Sequence, residues 1–474
     1  MKTLVKNGTI ITAEGQYQAD ILIEDEKIAA IGSSLTDSAD KVIDASGKLI
    51  FPGGVDNHAH FEALNTDGVT TNAGYDTTYV ALLGGTTTIV DFCTNEPGMN
   101  MVDSINYRLD VRAKGKVAPD IALHACCTDY TDETLGEIKK LVDMGVPTMK
   151  LFLAYKGTPL YMDDTKLLAC LEEAHKQGMT MMVHAENPDV LDKCRNDEAA
   201  KGHYEPKYHY MTRPPYGEAE AVSRAIRFAD AMKCPLCIVH VSCVEAGEEI
   251  RKARAEGKAV IGETCPHYLT LDKHLMDNSD WRIAAHWVCS PALRDQEDRD
   301  YLWKALNEDW LSVVGSDNAS IPQYQKDWGW DEEHQRCDFR KIPNGAPGAG
   351  DRLNALWTYG VAAGRMTPEK FVEVCSTIPA KMNGLYPRKG TIQVGSDADL
   401  VLFDPTYRGK ITLETNPTGI EYNIYEGLDQ IGRTETVLLR GKVVVEDAKY
   451  VGTPGEGKFI PGKPYGLGYD MLKR

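Results

Sequence analysis

The sequence has no apolar run long enough to cross a membrane, since a spanning helix needs roughly 18 or more consecutive apolar residues. The apolar segment within residues 1–8 is also too short for a secretory signal. The hydrophobic content of 42% and charged content of 26% are typical of a water-soluble globular protein. We therefore expect a cytoplasmic protein with no membrane partner.

Positive charge is scarce as well. The chain has 52 Lys and Arg residues against 70 Asp and Glu residues, which gives a formal net charge of −18. Nucleic acids and anionic membranes are negative themselves, so neither would be attracted to this surface. The charge balance therefore argues against a nucleic-acid partner.

A second cysteine pair at zinc-finger spacing is missing, although the chain has 12 cysteines. Cys234 and Cys237 have the C-x-x-C spacing of zinc and redox sites, but no second pair completes a finger. Most of the cysteines lie within apolar runs, which is typical of reduced core thiols in the cytoplasm. We interpret Cys234 and Cys237 as buried strand thiols.

Short strand-like segments occupy both ends of the chain. Over residues 1–52 they alternate with turns and show no helical period, and Asn7-Gly8 predicts a hairpin between its flanking strands. A matching set occurs only near the carboxyl end, from Thr391–Val394 to residues 442–445. Because small sheets must bury an apolar face against a partner, we expect one β-sandwich built from both chain ends.

The middle of the chain alternates eight apolar or β-branched runs with amphipathic stretches, and the first run is Ile50-Phe51. Eight strands with intervening helices indicate an α/β fold with a (β/α)8 TIM-like barrel, whose active site gathers at the carboxyl ends of the strands. A doubly wound open sheet is the alternative, because it shows the same alternation. The predicted division is β-sandwich 1–52, barrel 53–385, β-sandwich 386–450 and C-terminal tail 451–474.

Side chains able to bind metal stand at the ends of five predicted barrel strands. They are His58 and His60 at the first, Lys150 at the fourth, His184 at the fifth, His240 at the sixth and Asp317 at the eighth. Each alone is more often structural, as a hydrogen-bonded histidine or a capping aspartate. Together at one mouth of a barrel they are enough ligands for two divalent metals such as zinc. Lys150 must be neutral or modified there, and carbon dioxide would convert it to an anionic carbamate.

Eight short segments include these positions or lie elsewhere along the chain, namely Pro52-Gly-Gly-Val-Asp56, Lys150-Leu-Phe-Leu-Ala-Tyr155, His184-Ala-Glu186, His240-Val-Ser-Cys243, Glu263-Thr-Cys-Pro-His-Tyr268, Cys289-Ser-Pro-Ala-Leu-Arg294, Gly315-Ser-Asp317 and Lys341-Ile-Pro-Asn-Gly-Ala-Pro-Gly348. With them, nearly the whole chain resembles the dihydropyrimidinase/hydantoinase family of cyclic amidohydrolases. The resemblance implies zinc-dependent hydrolysis of the cyclic amide bond of a ring ureide. The substrate would be a 5-substituted hydantoin or a dihydropyrimidine, and the product an N-carbamoyl amino acid.

The resemblance also implies a binuclear zinc site. One zinc ion would be held by His58, His60 and Asp317, the other by His184 and His240, with carboxylated Lys150 (N6-carboxylysine) as the bridge. A hydroxide shared by the two ions would attack the ring carbonyl. Asp317 would take the hydroxide's proton and pass it to the departing ring nitrogen.

The resemblance assigns substrate contacts as well. Tyr155 would donate a hydrogen bond to the oxyanion, and main-chain groups of Ser290 and Asn344 would hold the edge of the ureide. The pocket for the ring substituent would be lined by Leu64, Phe152 and Leu160.

The chain departs from the usual family pattern at three places beside the ligands. Asn318 stands where a histidine usually follows the aspartate, Phe61-Glu62 follows His60 where an apolar leucine is more common, and Asn57 replaces a small residue or proline before His58. None is a predicted ligand, so the implied chemistry is unaffected.

Enzymes with other activities resemble this chain in their metal ligands. Allantoinase and dihydroorotase share this ligand set, although a dihydroorotase would need a cation for the substrate carboxylate and no arginine stands beside His58 and His60. A non-catalytic scaffold of the collapsin-response-mediator type lacks much of the metal set, whereas every ligand position is filled here. We therefore favour an enzyme. The resemblance implies a homotetramer, and residues 451–474 would either contact a neighbouring subunit or form a loose end.

Overall fold

Seven short strands begin the chain in a computed structural model, which describes residues 1–36, 38–63 and 73–473. They are β1 (Lys2–Lys6), β2 (Thr9–Thr12), β3 (Gly15–Gln18), β4 (Asp20–Glu24), β5 (Lys27–Gly32), β6 (Lys41–Asp44) and β7 (Leu49–Pro52). The predicted hairpin at Asn7-Gly8 is wrong, because β1 pairs with β4 and β6 while β2 pairs with β3 and β7. Asn7 has a φ of 66° and turns the chain from one sheet into the other.

Eight parallel strands then form a single sheet. They are β8 (Gly54–Ala59), β9 (Thr86–Thr94), β10 (Asp120–Cys126), β11 (Thr148–Phe152), β12 (Thr180–His184), β13 (Leu236–Ile238), β14 (Val260–Thr264) and β15 (Val313–Val314). Each strand pairs with the next in the chain, and Ala59 bridges Asn318 just beyond β15, so the sheet nearly closes on itself. A doubly wound sheet would reverse its strand order, so the barrel prediction is confirmed.

The first barrel strand differs from the predicted one. Ile50-Phe51 lies in β7, where Phe51 pairs with Val401 of the sandwich, and β8 begins only two residues after β7 ends. The two strands are therefore almost continuous in sequence but belong to different sheets. The predicted boundary at residue 52 falls between them, and the division into domains stays a prediction.

The α-helices lie mainly between the barrel strands. They are α1 (Tyr79–Leu83), α2 (Met101–Tyr107), α3 (Thr134–Asp143), α4 (Asp164–Gln177), α5 (Pro188–Ala200), α6 (Lys207–Met211), α7 (Pro215–Ala231), α8 (Val244–Ala255), α9 (Pro266–Thr270), α10 (Trp281–Ala284), α11 (Gln296–Asn307), α12 (Gln323–Lys326), α13 (Arg352–Leu356), α14 (Pro368–Val372), α15 (Ile378–Met382) and α16 (Leu467–Leu472). In α4, the Asp163 side chain accepts from the Lys166 N–H at the start, and Gly178 ends the helix with a φ of 72°. Among the described residues, no helix combines the length and apolar character that crossing a bilayer requires.

Strands from both chain ends complete the β-sandwich. After the small hairpin of β16 (Trp330–Asp331) and β17 (Arg336–Cys337) come β18 (Leu400–Lys410), β19 (Asp429–Leu439), β20 (Lys442–Glu446) and β21 (Lys449–Tyr450). These last four join β7, β2 and β3 in a seven-stranded sheet, opposite the sheet of β5, β4, β1 and β6. The sandwich prediction is confirmed. Thr391–Val394 is not a strand, however, because a turn at Gly395, with a φ of 92°, interrupts the chain there.

The C-terminal tail packs on its own barrel. Ile121 donates its N–H to the Lys458 carbonyl, and Ile460 returns a bond to the Ile121 carbonyl. The Gly462 N–H likewise donates to the carbonyl of Gly145, which lies just before β11. The tail therefore runs along the amino ends of the barrel strands, on the face opposite the predicted site, which excludes the loose-end alternative.

Candidate metal and substrate site

Three predicted ligands converge where β8 and β15 end. His58 is the last residue but one of β8, His60 directly follows that strand, and Asp317 lies shortly after β15. The Asp317 Oδ1 atom is 3.1 Å from His58 Nε2 and 3.4 Å from His60 Nε2. Burial lowers the pKa of His60 to about 4, and the facing histidines outweigh burial to hold the pKa of Asp317 well below its usual value. A neutral imidazole and an ionised carboxylate are the forms that bind a divalent metal.

The second predicted pair lies on neighbouring strands. His184 ends β12 and His240 follows β13, and His184 Nδ1 is 2.9 Å from His240 Nε2. Burial lowers the pKa of both imidazoles, so both are neutral at physiological pH. Glu186 contacts His184 Nε2 at 2.8 Å and is itself held by Arg213 at 2.5 Å. This carboxylate fixes the His184 ring, as carboxylates behind metal-binding histidines do.

Lys150 lies between these two groups. Its Nζ atom is 3.1 Å from His58 Nε2 and 4.3 Å from the centre of the Phe92 ring, and the side chain is buried. Burial lowers the pKa of Lys150, which favours the neutral amine. A neutral amine is the form that reacts with carbon dioxide.

Three of the predicted site residues adopt left-handed backbone conformations. The φ angle is 65° for Tyr155, 49° for Asp317 and 41° for His240, each just after a barrel strand. Such conformations cost about 1–3 kcal/mol each in residues other than glycine and persist where the surrounding structure requires them. They turn these three side chains towards one space, and no feature of the residue types forecasts this.

That space is a cavity of about 180 Å³. Its walls contain the predicted residues His60, Lys150, Phe152, Tyr155, Leu160, His184, His240, Ser290, Asp317 and Asn344, together with Ala63, Thr94, Cys126, Cys289, Ala319 and Gly345. His58 is fully buried behind them, and Leu64 lies outside the described residues. The Tyr155 ring centre is 5.5 Å from that of His184, so its side chain faces one of the predicted metal ligands.

Glu263 has a role that the sequence did not predict. It lies in β14, its Oε1 atom is 2.5 Å from His58 Nδ1, and its Oε2 atom accepts from Asn57 Nδ2 at 2.6 Å. Asn57, one of the departures from the family pattern, is thus a partner of the carboxylate that orients His58. Since β14 is the seventh strand, inspection of its end for a polar residue would have found Glu263.

A second departure, at Asn318, has a structural role. The Asn318 Oδ1 atom accepts from the main-chain N–H groups of Gly348 and Ala349 at 3.0 and 3.2 Å. Its own carbonyl accepts from the His60 N–H at 2.8 Å. Asn318, next to Asp317, therefore ties the backbone at His60 to that at Gly348 and Ala349, and it is not part of the cavity wall.

Comparison with known proteins agrees with this geometry. The model of the amidohydrolase family matches residues 49–444. The chain belongs to the amidohydrolase family. It is 42% identical to the D-hydantoinases of Geobacillus stearothermophilus, with 98% of each chain covered, and Ralstonia pickettii, with 98% of this chain and 100% of the relative covered. The crystal structure of dihydropyrimidinase from Brevibacillus agri NCHU1002 is 41% identical and superposes with a TM-score of 0.93 over 98% of this chain and 99% of that one. Amidohydrolases generally use a binuclear metal centre, and the donors described above fit one.

Proposed function

We propose that this chain is a cyclic amidohydrolase of the hydantoinase or dihydropyrimidinase type. It hydrolyses the cyclic amide bond of a 5-substituted hydantoin or a dihydropyrimidine and releases an N-carbamoyl amino acid. The observation that carries this proposal is the convergence of His60, His184, His240, Asp317 and Lys150 on one cavity of about 180 Å³. The full-length identity of 42% to D-hydantoinases supports the substrate class.

The donor set supports two zinc ions. His58, His60 and Asp317 would hold one, His184 and His240 the other, and Lys150, once carboxylated, would bridge them. His240 Nδ1 is buried and has no hydrogen-bond partner among the described residues. When bound, the two ions supply Lewis acidity and a hydroxide nucleophile at neutral pH.

The chain's own residues bind the ring and move the proton. Burial raises the pKa of Tyr155, so its phenol keeps its proton and donates a hydrogen bond to the ring carbonyl oxygen. Asp317 is ionised and accepts a proton, which it passes to the departing ring nitrogen. The main-chain groups of Ser290 and Asn344 hold the ureide edge, while Phe152 and Leu160 contact the ring substituent.

The test pairs metal content with turnover. Zinc is counted per chain, and ring opening is assayed with dihydrouracil, hydantoin, phenylhydantoin and allantoin. We expect two ions per chain and activity on the first three substrates, with both lost in Lys150→Ala. Lys156→Ala, which removes an exposed lysine paired with Asp189, is the matched control and keeps both.

Two outcomes would contradict the proposal. A metal-free, inactive protein would leave the non-catalytic scaffold as the remaining interpretation, and a preference for allantoin would indicate the allantoinase alternative.

We also propose a cytoplasmic homotetramer. The unpaired state of all 12 cysteines supports a reducing compartment, and analytical ultracentrifugation tests the assembly.

A further inference from the structure

Lys326 is a fully buried lysine at the end of α12, outside the wall of the cavity. Its Nζ atom donates to three main-chain carbonyls, at 3.1 Å to Val288, 2.8 Å to Pro343 and 2.8 Å to Gly345. An ammonium group has three N–H donors, so all of them are used. The lysine therefore ties together two loops that are distant in sequence.

These loops carry Ser290 and Asn344. Gly345 also donates its N–H to the Val288 carbonyl at 3.0 Å, and His209 Nε2 contacts the Cys289 carbonyl at 2.7 Å. The carbonyls next to the two predicted ureide-binding residues are thus occupied behind the cavity. The main-chain groups of Ser290 and Asn344 themselves form no hydrogen bond with another protein group within residues 1–36, 38–63 and 73–473.

The fold alone does not account for a charge at this position. Burial lowers the pKa of Lys326 to about 7, and no described carboxylate forms an ion pair with it. A buried ammonium without a carboxylate is unfavourable, and its three hydrogen bonds to main-chain carbonyls offset that cost here. A methionine at position 326 could not donate these three hydrogen bonds.

We propose that Lys326 is a positioning residue for ring-ureide binding. By joining residues 288–290 to residues 343–345, it fixes the spacing at which the main-chain groups of Ser290 and Asn344 hold the ureide. This inference rests on the proposed function, because it assigns the task of Lys326 to the same reaction. Lys326 does not contact the substrate or the metal ligands.

The test compares Lys326→Met with the wild type. We expect KM for dihydrouracil and hydantoin to rise about 10- to 100-fold, since hydrogen bonds from a charged group are lost. The value of kcat changes less than about threefold, because ureide binding contributes equally to the ground and transition states. The dissociation constant of 2-imidazolidinone, a cyclic urea without the scissile amide, rises by the same factor in calorimetry, and zinc content stays unchanged.

Two further variants make the result decisive. Lys326→Gln keeps two N–H donors and is expected to restore part of the affinity. Lys341→Met removes an exposed lysine of the same loop that pairs with Asp331, and KM should stay within twofold. Unchanged KM and analogue affinity in Lys326→Met would overturn the inference, as would failure of both Lys326 variants to fold, which would show that Lys326 holds the fold. An inactive wild type would instead overturn the proposed function.

Discussion

The imidazole of His58 is held by a carboxylate on its far side. Glu263 contacts His58 Nδ1 at 2.5 Å, which leaves Nε2 facing Lys150 and Asp317. Asn57 and Asn383 continue this chain of hydrogen bonds, since Asn383 Nδ2 donates to Asn57 Oδ1 at 2.6 Å. The orientation of one proposed metal ligand therefore depends on buried polar residues that are not themselves proposed ligands.

Replacing Glu263 with glutamine tests this dependence. The amide can accept one hydrogen bond but lacks the charge that makes His58 a stronger ligand, so we expect zinc affinity to fall about 10- to 100-fold. Competition with a fluorescent chelator measures it, and Glu297→Gln on the exposed first turn of α11 serves as the control. Equal affinities in the two variants would show that His58 orients itself without Glu263.

Tyr155→Phe removes one hydroxyl from the cavity wall. If its phenol donates to the oxyanion, kcat falls about 10²- to 10³-fold, because that bond strengthens as the carbonyl oxygen becomes charged. Metal content and the KM for hydantoin change little. A kcat within threefold of the wild type would make Tyr155 a passive part of the wall.

The positions of the proposed ligands could be predicted from the sequence, because the histidines and the aspartate follow recognisable strand patterns. His58, His60, His184, His240 and Asp317 all lie where the strand pattern placed them. Lys326 was missed because its role arises from contacts with carbonyls 17 to 38 residues away in the sequence. The role of Glu263 was missed because its partner His58 is 205 residues away.

At the scale of elements, close backbone approach restricts the connection between α1 and β9. A Cβ atom on Gly84, which follows α1, would lie 2.3 Å from the Gly350 carbonyl oxygen. Both partners are backbone, so neither can rotate away. Gly84→Ala should lower the free energy of unfolding by about 1–3 kcal/mol, measured by urea denaturation of the metal-loaded protein.

Gly136 provides the opposite case. It lies on the exposed side of α3, and a Cβ atom there would meet nothing within 4 Å. Gly136→Ala should therefore raise the free energy of unfolding by about 0.5–1 kcal/mol, because alanine favours the helix. If both alanine variants change stability in the same direction, the backbone contact at Gly350 does not limit the fold.

Element boundaries were predicted less well than element types. The sequence identified the barrel strands by their apolar runs, but β7 and β8 form one nearly continuous run that two different sheets divide. The Asn7-Gly8 dipeptide does turn the chain, but the strands on either side pair with other strands and not with each other. In both cases long-range pairing overrode the local signal.

At the scale of the molecule, a buried ion network joins the barrel, the sandwich and the tail. Lys389 Nζ is 2.6 Å from Asp120, at the start of β10, and 2.7 Å from Asp399, next to β18. Arg440, after β19, also pairs with Asp120, and the Lys458 N–H of the tail donates to the same carboxylate at 2.8 Å. Burial alone would lower the pKa of Lys389, but the carboxylates outweigh it and raise that pKa.

This network predicts that Lys389→Met destabilises the whole molecule. Asp120 and Asp399 would lose a buried cation, so the free energy of unfolding should fall by about 3–5 kcal/mol. Lys410→Met removes an exposed lysine paired with Asp429 and should cost no more than about 1 kcal/mol. Urea denaturation followed by tryptophan fluorescence and by circular dichroism measures both variants.

The same experiment tests whether Lys389 joins the barrel, the sandwich and the tail. If it does, the unfolding transition of Lys389→Met also becomes broader or differs between the two probes, because the sandwich and barrel no longer unfold together. Equal losses in the two lysine variants would show that the cation at position 389 does not link them.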